Sequence, residues 1–91
     1  MASKIHCAHI LVEKFSLAQE LKTKIANGES FANLAKQHSK DSSKRRGGDL
    51  GFFGRGMMVS EFEKVAFALE KGQVSDIVKT QFGYHIIKRL D

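Results

Sequence analysis

Apolar side chains occupy residues 4–12 with a period of two. Ile5, Cys7, His9 and Leu11 fall on one face and His6, Ala8, Ile10 and Val12 on the other, which predicts a central strand covered on both sides. Beyond it the period lengthens to that of a helix. Leu17, Leu21 and Ile25 form one stripe behind Ser16 and Gln19, which are spaced as a capping box, and Asn27-Gly28 supplies a terminator that tolerates left-handed backbone. Ser30 stands where it would cap a second helix carrying Phe31, Leu34, Ala35 and His38. A third helix opens at the capping-box pair Ser60 and Glu63. Phe62, Val65, Ala66 and Leu69 line one side of it, and Gly72 stands at its end. Residues 74–78 predict a short strand, and Tyr84–Leu90 the last strand after a turn at Gly83.

Residues 39–56 fit neither period. They contain five glycines and read as a loop too long for an idle connection in a compact domain. The predicted order is β-α-α-(loop)-α-β-β, an α+β class with a strand at each end of the chain. If those two strands pair, His9 and His85 meet on the sheet. Imidazole in an apolar strand costs free energy unless its nitrogens find partners, so the two rings point either to a shared polar site or to satisfied core histidines.

Composition narrows the class. Ninety-one residues, 42% hydrophobic and 27% charged, suit one small globular domain over 1–91. No apolar run reaches the length of a membrane span and no signal-peptide pattern is present, so a cytoplasmic monomer is the expectation. The lone Cys7 cannot form an intrachain disulfide, and the absence of proline removes slow prolyl isomerisation from the chain's own folding. The net charge of +5 is uneven: residues 1–46 hold nine Lys/Arg against four Asp/Glu, and residues 47–91 hold six of each. Lys36, Lys40, Lys44, Arg45 and Arg46 concentrate the excess. They read as a solvated loop or as a weak contact for an anionic membrane surface or nucleic acid.

Several chemistries can be set aside. His6 and His9 project to opposite strand faces and no Cys-x-x-Cys pair exists, so no metal is expected. Cys7 and His9 share a face but stand about 7 Å apart by strand rise, too far for a nucleophile–base pair. The glycine run lacks the Gly-Lys-Ser/Thr ending of a phosphate loop. Adjacent Phe52 and Phe53 beside basic residues admit nucleic-acid stacking, but neighbours on a strand cannot both face one ligand. No cofactor is expected.

Four blocks carry a family likeness: Ala8-His9-Ile10-Leu11-Val12; Gly47-Gly48-Asp49-Leu50-Gly51-Phe52-Phe53; Phe62-Glu63 with Ala66-Phe67; and Phe82-Gly83-Tyr84-His85-Ile86-Ile87. In order and spacing the chain resembles the parvulin family of peptidyl-prolyl cis–trans isomerases along essentially its whole length. The resemblance implies a β-α-α-α-β-β fold with a four-stranded antiparallel sheet, one strand lying near Leu50–Phe53. It implies that His9 and His85 form a paired-histidine motif supported by Thr80, and that Asp41 occupies a position held by Cys or Asp. It also implies that Leu50, Phe53, Met58, Phe62 and Phe82 line a pocket for the proline ring. Proline-containing polypeptides would be the partners.

The phosphate-selective branch of the family has a basic loop directly after its first histidine strand and a Cys at the position of Asp41. Here Val12-Glu13-Lys14 runs into a helix, so no phosphorylation requirement is expected. Val59 replaces a polar residue of some members, with no consequence assigned. The rivals to an isomerase are a non-catalytic peptide-binding or chaperone module on the same fold, and a binder of anionic surfaces through Lys36–Arg46.

Overall fold

The computed structural model describes residues 3–91; Met1 and Ala2 of the expected 1–91 unit lie outside it. Strand β1 (Lys4–Val12) leads into helices α1 (Phe15–Ala26) and α2 (Phe31–His38). A short 3₁₀ helix (Ser42–Arg46), strand β2 (Asp49–Gly54), helix α3 (Ser60–Ala68) and strands β3 (Val78–Thr80) and β4 (Gly83–Arg89) follow. The strands form one antiparallel sheet in the order β2-β1-β4-β3. The first and last strands are therefore its central pair.

The alternation of β1 divides the core as its sequence predicts. Ala8, Ile10 and Val12 pack with Leu21, Phe31, Leu34 and Ile86 beneath α1 and α2. Ile5 and Cys7 pack with Phe53, Phe62, Leu69, Val78 and Ile87 beneath α3. Consecutive Ile86 and Ile87 thus serve opposite faces, as the period of two requires.

Several boundaries differ from the sequence reading. Helix α1 starts at Phe15 with Lys14 as its cap and no side-chain cap bond, so the Ser16–Gln19 box does not form. Ser30 does cap α2, its hydroxyl accepting from the Asn33 N–H at 3.2 Å. Val59, not Ser60, caps α3, and Glu63 reaches backward to the Gly56 N–H instead of closing a box. That helix stops at Ala68 with extended backbone at Leu69, and Gly72 serves a later turn in which its N–H donates to the Arg89 carbonyl. The strand expected at 74–78 is reduced to a single bridge between Val74 and Lys88, and pairing begins at Val78.

The stretch read as loop holds β2. Its register against β1 slips between His6 and Ala8, and Gly51 has φ +72°, so strict alternation is broken there. The preceding residues run along β1: the Lys40 N–H donates to the Leu11 carbonyl at 2.8 Å, and the His9 N–H donates to the Gly48 carbonyl at 2.9 Å. Gly48 is required by this approach. Its φ is +86°, and a Cβ there would lie 2.2 Å from the His9 carbonyl oxygen.

Candidate active site

His9 and His85 come from neighbouring strands on the α3 side of the sheet. They are diagonal partners, because His9 faces Ile87 and His85 faces Leu11 in the β1–β4 register. Their Nδ1 atoms are 3.0 Å apart and their rings stack with centroids 5.2 Å apart. On the far side, His85 Nε2 lies 2.7 Å from the Thr80 hydroxyl, which also accepts from the Phe82 N–H at 3.1 Å. On the near side, His9 Nε2 stands 3.2 Å from Asp41 Oδ2, close enough for Coulomb attraction but not aligned as a hydrogen bond.

Hydrogen-bond bookkeeping assigns the protons. An ionised Asp41 places a proton on His9 Nε2, which leaves His9 Nδ1 to accept from His85 Nδ1–H. His85 Nε2 then accepts from the Thr80 hydroxyl. Both rings are neutral in this arrangement. The reverse order would aim a lone pair at a carboxylate.

The electrostatics agree. Burial, reinforced by the neighbouring His9, pushes His85 down to about 4 despite the opposing pull of Asp41. Burial likewise lowers His9 from its ordinary value, although Asp41 pulls it upward. Partial burial works against the Asp41 carboxylate. Hydrogen bonding to Ser43 and the adjacent His9 outweigh it and hold Asp41 at about 2. The nearby cations Lys40, Lys44 and Arg45 do not supply that stabilisation. Instead Lys40 pairs with Glu13, and the Ser43 N–H donates to Asp41 Oδ2 at 3.0 Å as the carboxylate caps the 3₁₀ helix.

Above the pair opens a cleft of about 350 Å³ lined by His9, Leu11, Asp41, Leu50, Met57, Met58, Val59, Phe62, Phe82 and His85. Phe62 stands edge-on to both imidazoles, with centroids at 5.5 Å from His9 and 5.4 Å from His85. The walls are apolar, and the one carboxylate lies among them.

The rotamase family, the PPIC-type PPIase domain, matches residues 12–91. The chain belongs to this family. It is 58% identical over 89 residues to the foldase protein PrsA of a Geobacillus species, a match that covers 97% of this chain and 32% of that protein. The crystal structure of PrsA from Bacillus subtilis superposes with a TM-score of 0.95 at 51% identity, covering 98% of this chain and 35% of that one. NmPin, the parvulin of Nitrosopumilus maritimus, gives a TM-score of 0.90 at 50% identity, covering 100% of this chain and 99% of that one. The chain thus spans about a third of the length of the curated relatives it matches.

With the parvulin-type isomerase domain identified, each expected site residue can be placed. His9, Asp41, Leu50, Met58, Phe62, Phe82 and His85 converge on the cleft, and Thr80 lies buried behind His85. Phe53 does not line it. Its partner across the sheet is Ile5, so its ring points into the core at 1% exposure and supports Phe62 from below, with centroids 6.1 Å apart. Phe52 turns to the other side and packs at a tilt against His6, so the two phenylalanines offer no common platform. Leu11, Met57 and Val59 were missed. Leu11 was legible, because it shares the His9 face of β1; exposed Met57 sits in an irregular turn that no periodicity marks.

The basic residues stand outside the cleft lining. Lys36, Lys44 and Arg45 are exposed, and the Arg46 guanidinium donates to the Asp49 carbonyl at 3.4 Å. Cys7 is buried, and burial raises its thiol to about 11 against the pull of Arg89, which makes it a poor nucleophile. Among the described residues no group of three His, Cys, Asp or Glu side chains converges as a metal site.

Proposed function

We propose that the domain catalyses cis–trans isomerisation of X–Pro bonds in unfolded or folding polypeptides without requiring a phosphate. The observation that carries this reading is an apolar cleft of about 350 Å³ with a single ionised carboxylate, Asp41, in its lining. Rotation about the X–Pro bond meets a barrier of about 18–20 kcal/mol because amide resonance must be broken. No covalent intermediate is needed. Leu50, Met58 and Phe62 hold the proline ring while the preceding carbonyl turns, and exclusion of water disfavours the more dipolar planar amide.

Asp41 adds direction. Negative charge near the substrate carbonyl oxygen destabilises the resonance form that places charge on that oxygen, and so favours the twisted state selectively. The histidines act as the floor. Neutral and bonded to each other and to Thr80, they fix the face that carries Phe62 and present Nε2–H toward Asp41.

The charge of the cleft supports phosphate independence. No Lys or Arg lines the cleft, and the Asp41 carboxylate would repel a phosphate on the residue before proline. The test is NMR exchange spectroscopy on a panel of X–Pro peptides, including Ser-Pro and its phosphorylated form. Acceleration for unphosphorylated peptides, with no gain from phosphate, is expected. Binding without acceleration would identify a non-catalytic peptide-binding module, and acceleration confined to the phosphopeptide would overturn the stated preference.

A further inference from the structure

The turn between β2 and α3 carries three residues of the cleft wall, Met57, Met58 and Val59, yet it belongs to neither element. Its backbone is tied to α3 by a side chain. The Gly56 N–H donates to Glu63 Oε1 at 2.5 Å, while Glu63 Oε2 lies 3.9 Å from the Arg55 guanidinium. Arg55 in turn sits over the Phe67 ring at 4.3 Å, and the Gly54 N–H donates to the Met57 sulfur at 3.3 Å. Gly56 has φ +85° with open space where a Cβ would lie, so glycine is there for conformation and not for crowding. Glu63 itself does not line the cleft.

We infer that Glu63 is a positioning residue: its carboxylate holds the Arg55–Val59 turn so that Met57 and Met58 close one wall of the proline cleft. The inference rests on the isomerase reading above. The groups given the chemistry are held elsewhere, Asp41 by Ser43 and the histidines by each other and Thr80. Loosening the turn therefore weakens the grip on the ring in planar and twisted states alike. Such uniform loss raises KM and leaves kcat unchanged. The bond from the Gly56 N–H fixes the turn through any side-chain oxygen that reaches it, carboxylate or amide, whereas the Arg55 contact, half exposed and long, contributes little.

Two substitutions separate reach from charge without emptying the site. Glu63→Asp keeps a negative charge in the first turns of α3, where it suits the helix dipole, but is one methylene too short to reach Gly56. Glu63→Gln keeps the reach and an acceptor oxygen but drops the charge. Glu63→Asp should raise KM about five- to tenfold with kcat unchanged, and Glu63→Gln should stay within about twofold of the parent chain. Methyl resonances of Met57 and Met58 should shift or broaden in Glu63→Asp and hold in Glu63→Gln, read on the free protein. Unchanged KM in Glu63→Asp, parallel loss of kcat, or a Glu63→Gln variant as impaired as Glu63→Asp would each overturn the role. A parent chain that accelerates no exchange defeats the isomerase reading instead. The methyl spectra then still decide the anchor: unmoved Met57 and Met58 signals in Glu63→Asp overturn it.

Discussion

His9 and His85 face each other Nδ1 to Nδ1 at 3.0 Å, an arrangement in which only one of the two nitrogens can carry a proton. Protonating the pair would set two donors against each other inside a buried site. That conflict adds to burial in keeping both rings neutral as the pH falls.

Stability should therefore fall as pH drops below 6.5. The folded state holds His85 at about 4, against 6.5 when exposed, so between those values the unfolded chain binds a proton that the folded chain refuses. The stabilisation is complete above 6.5 and shrinks as pH falls, by roughly 3 kcal/mol across the window. Asp41, held at about 2 against 3.8, adds a second loss below pH 3.8. Urea midpoints measured from pH 7 to pH 4 check this, and a flat profile would contradict the neutral-pair assignment.

Asp41→Asn tests the charge more cleanly than Asp41→Ala. The aspartate also caps the 3₁₀ helix through the Ser43 N–H, so alanine should remove about 1 kcal/mol of stability along with the charge. Asparagine keeps an acceptor for the cap. Its kcat should drop about ten- to a hundredfold, equivalent to roughly 1.4–2.7 kcal/mol at the transition state, and its stability at neutral pH should fall only by the share the parent loses when Asp41 is protonated. Full activity in the asparagine variant would remove Asp41 from the mechanism.

Phe62 contributes to both core and cleft. It is 3% exposed and packs against Phe53 and both imidazoles, so Phe62→Ala should cost about 3–5 kcal/mol and threaten the fold itself. Phe62→Leu retains most of the volume. It should raise KM while the domain still unfolds cooperatively, and a parental KM would deny Phe62 a part in ring binding.

Two glycines in or beside β2 should respond differently to alanine. Both have positive φ, but an added Cβ at Gly51 meets nothing within 4 Å, whereas at Gly48 it meets the His9 carbonyl oxygen at 2.2 Å. Gly51→Ala should cost about 1–2 kcal/mol from backbone conformation alone. Gly48→Ala should cost on the order of 4–5 kcal/mol, since it also separates β2 from β1. Equal denaturation midpoints for the two variants would refute the contact.

What was legible from residues and what was not divides along physical lines. The two faces of β1 were read correctly because eight consecutive side chains obey one period and both cores enforce it. The Ser30 cap was read correctly because there the side chain itself does the capping, accepting from the Asn33 N–H. The boxes at Ser16 and Ser60 misled because the chain caps those helices one or two residues earlier without using a side chain. Strand β2 stayed hidden to periodicity, since a left-handed Gly51 and a register slip erase the alternation; family likeness supplied it. Within the site, family likeness placed most of the cleft, but Phe53 lies on that face of the sheet and below the cleft, its ring packed into the core against Phe62, a depth that only tertiary packing reveals. The role of Glu63 depends on a contact seven residues back that no helix pattern encodes.

The pairing of first and last strands has a consequence for how such a unit can be built into longer polypeptides. The His6 carbonyl accepts from the Leu90 and Asp91 N–H groups, and the His6 N–H donates to the Asp91 carbonyl, so the chain arrives and departs at one spot on the sheet. A host protein could carry this module as a side branch, spliced into a surface loop, without prising its own halves apart.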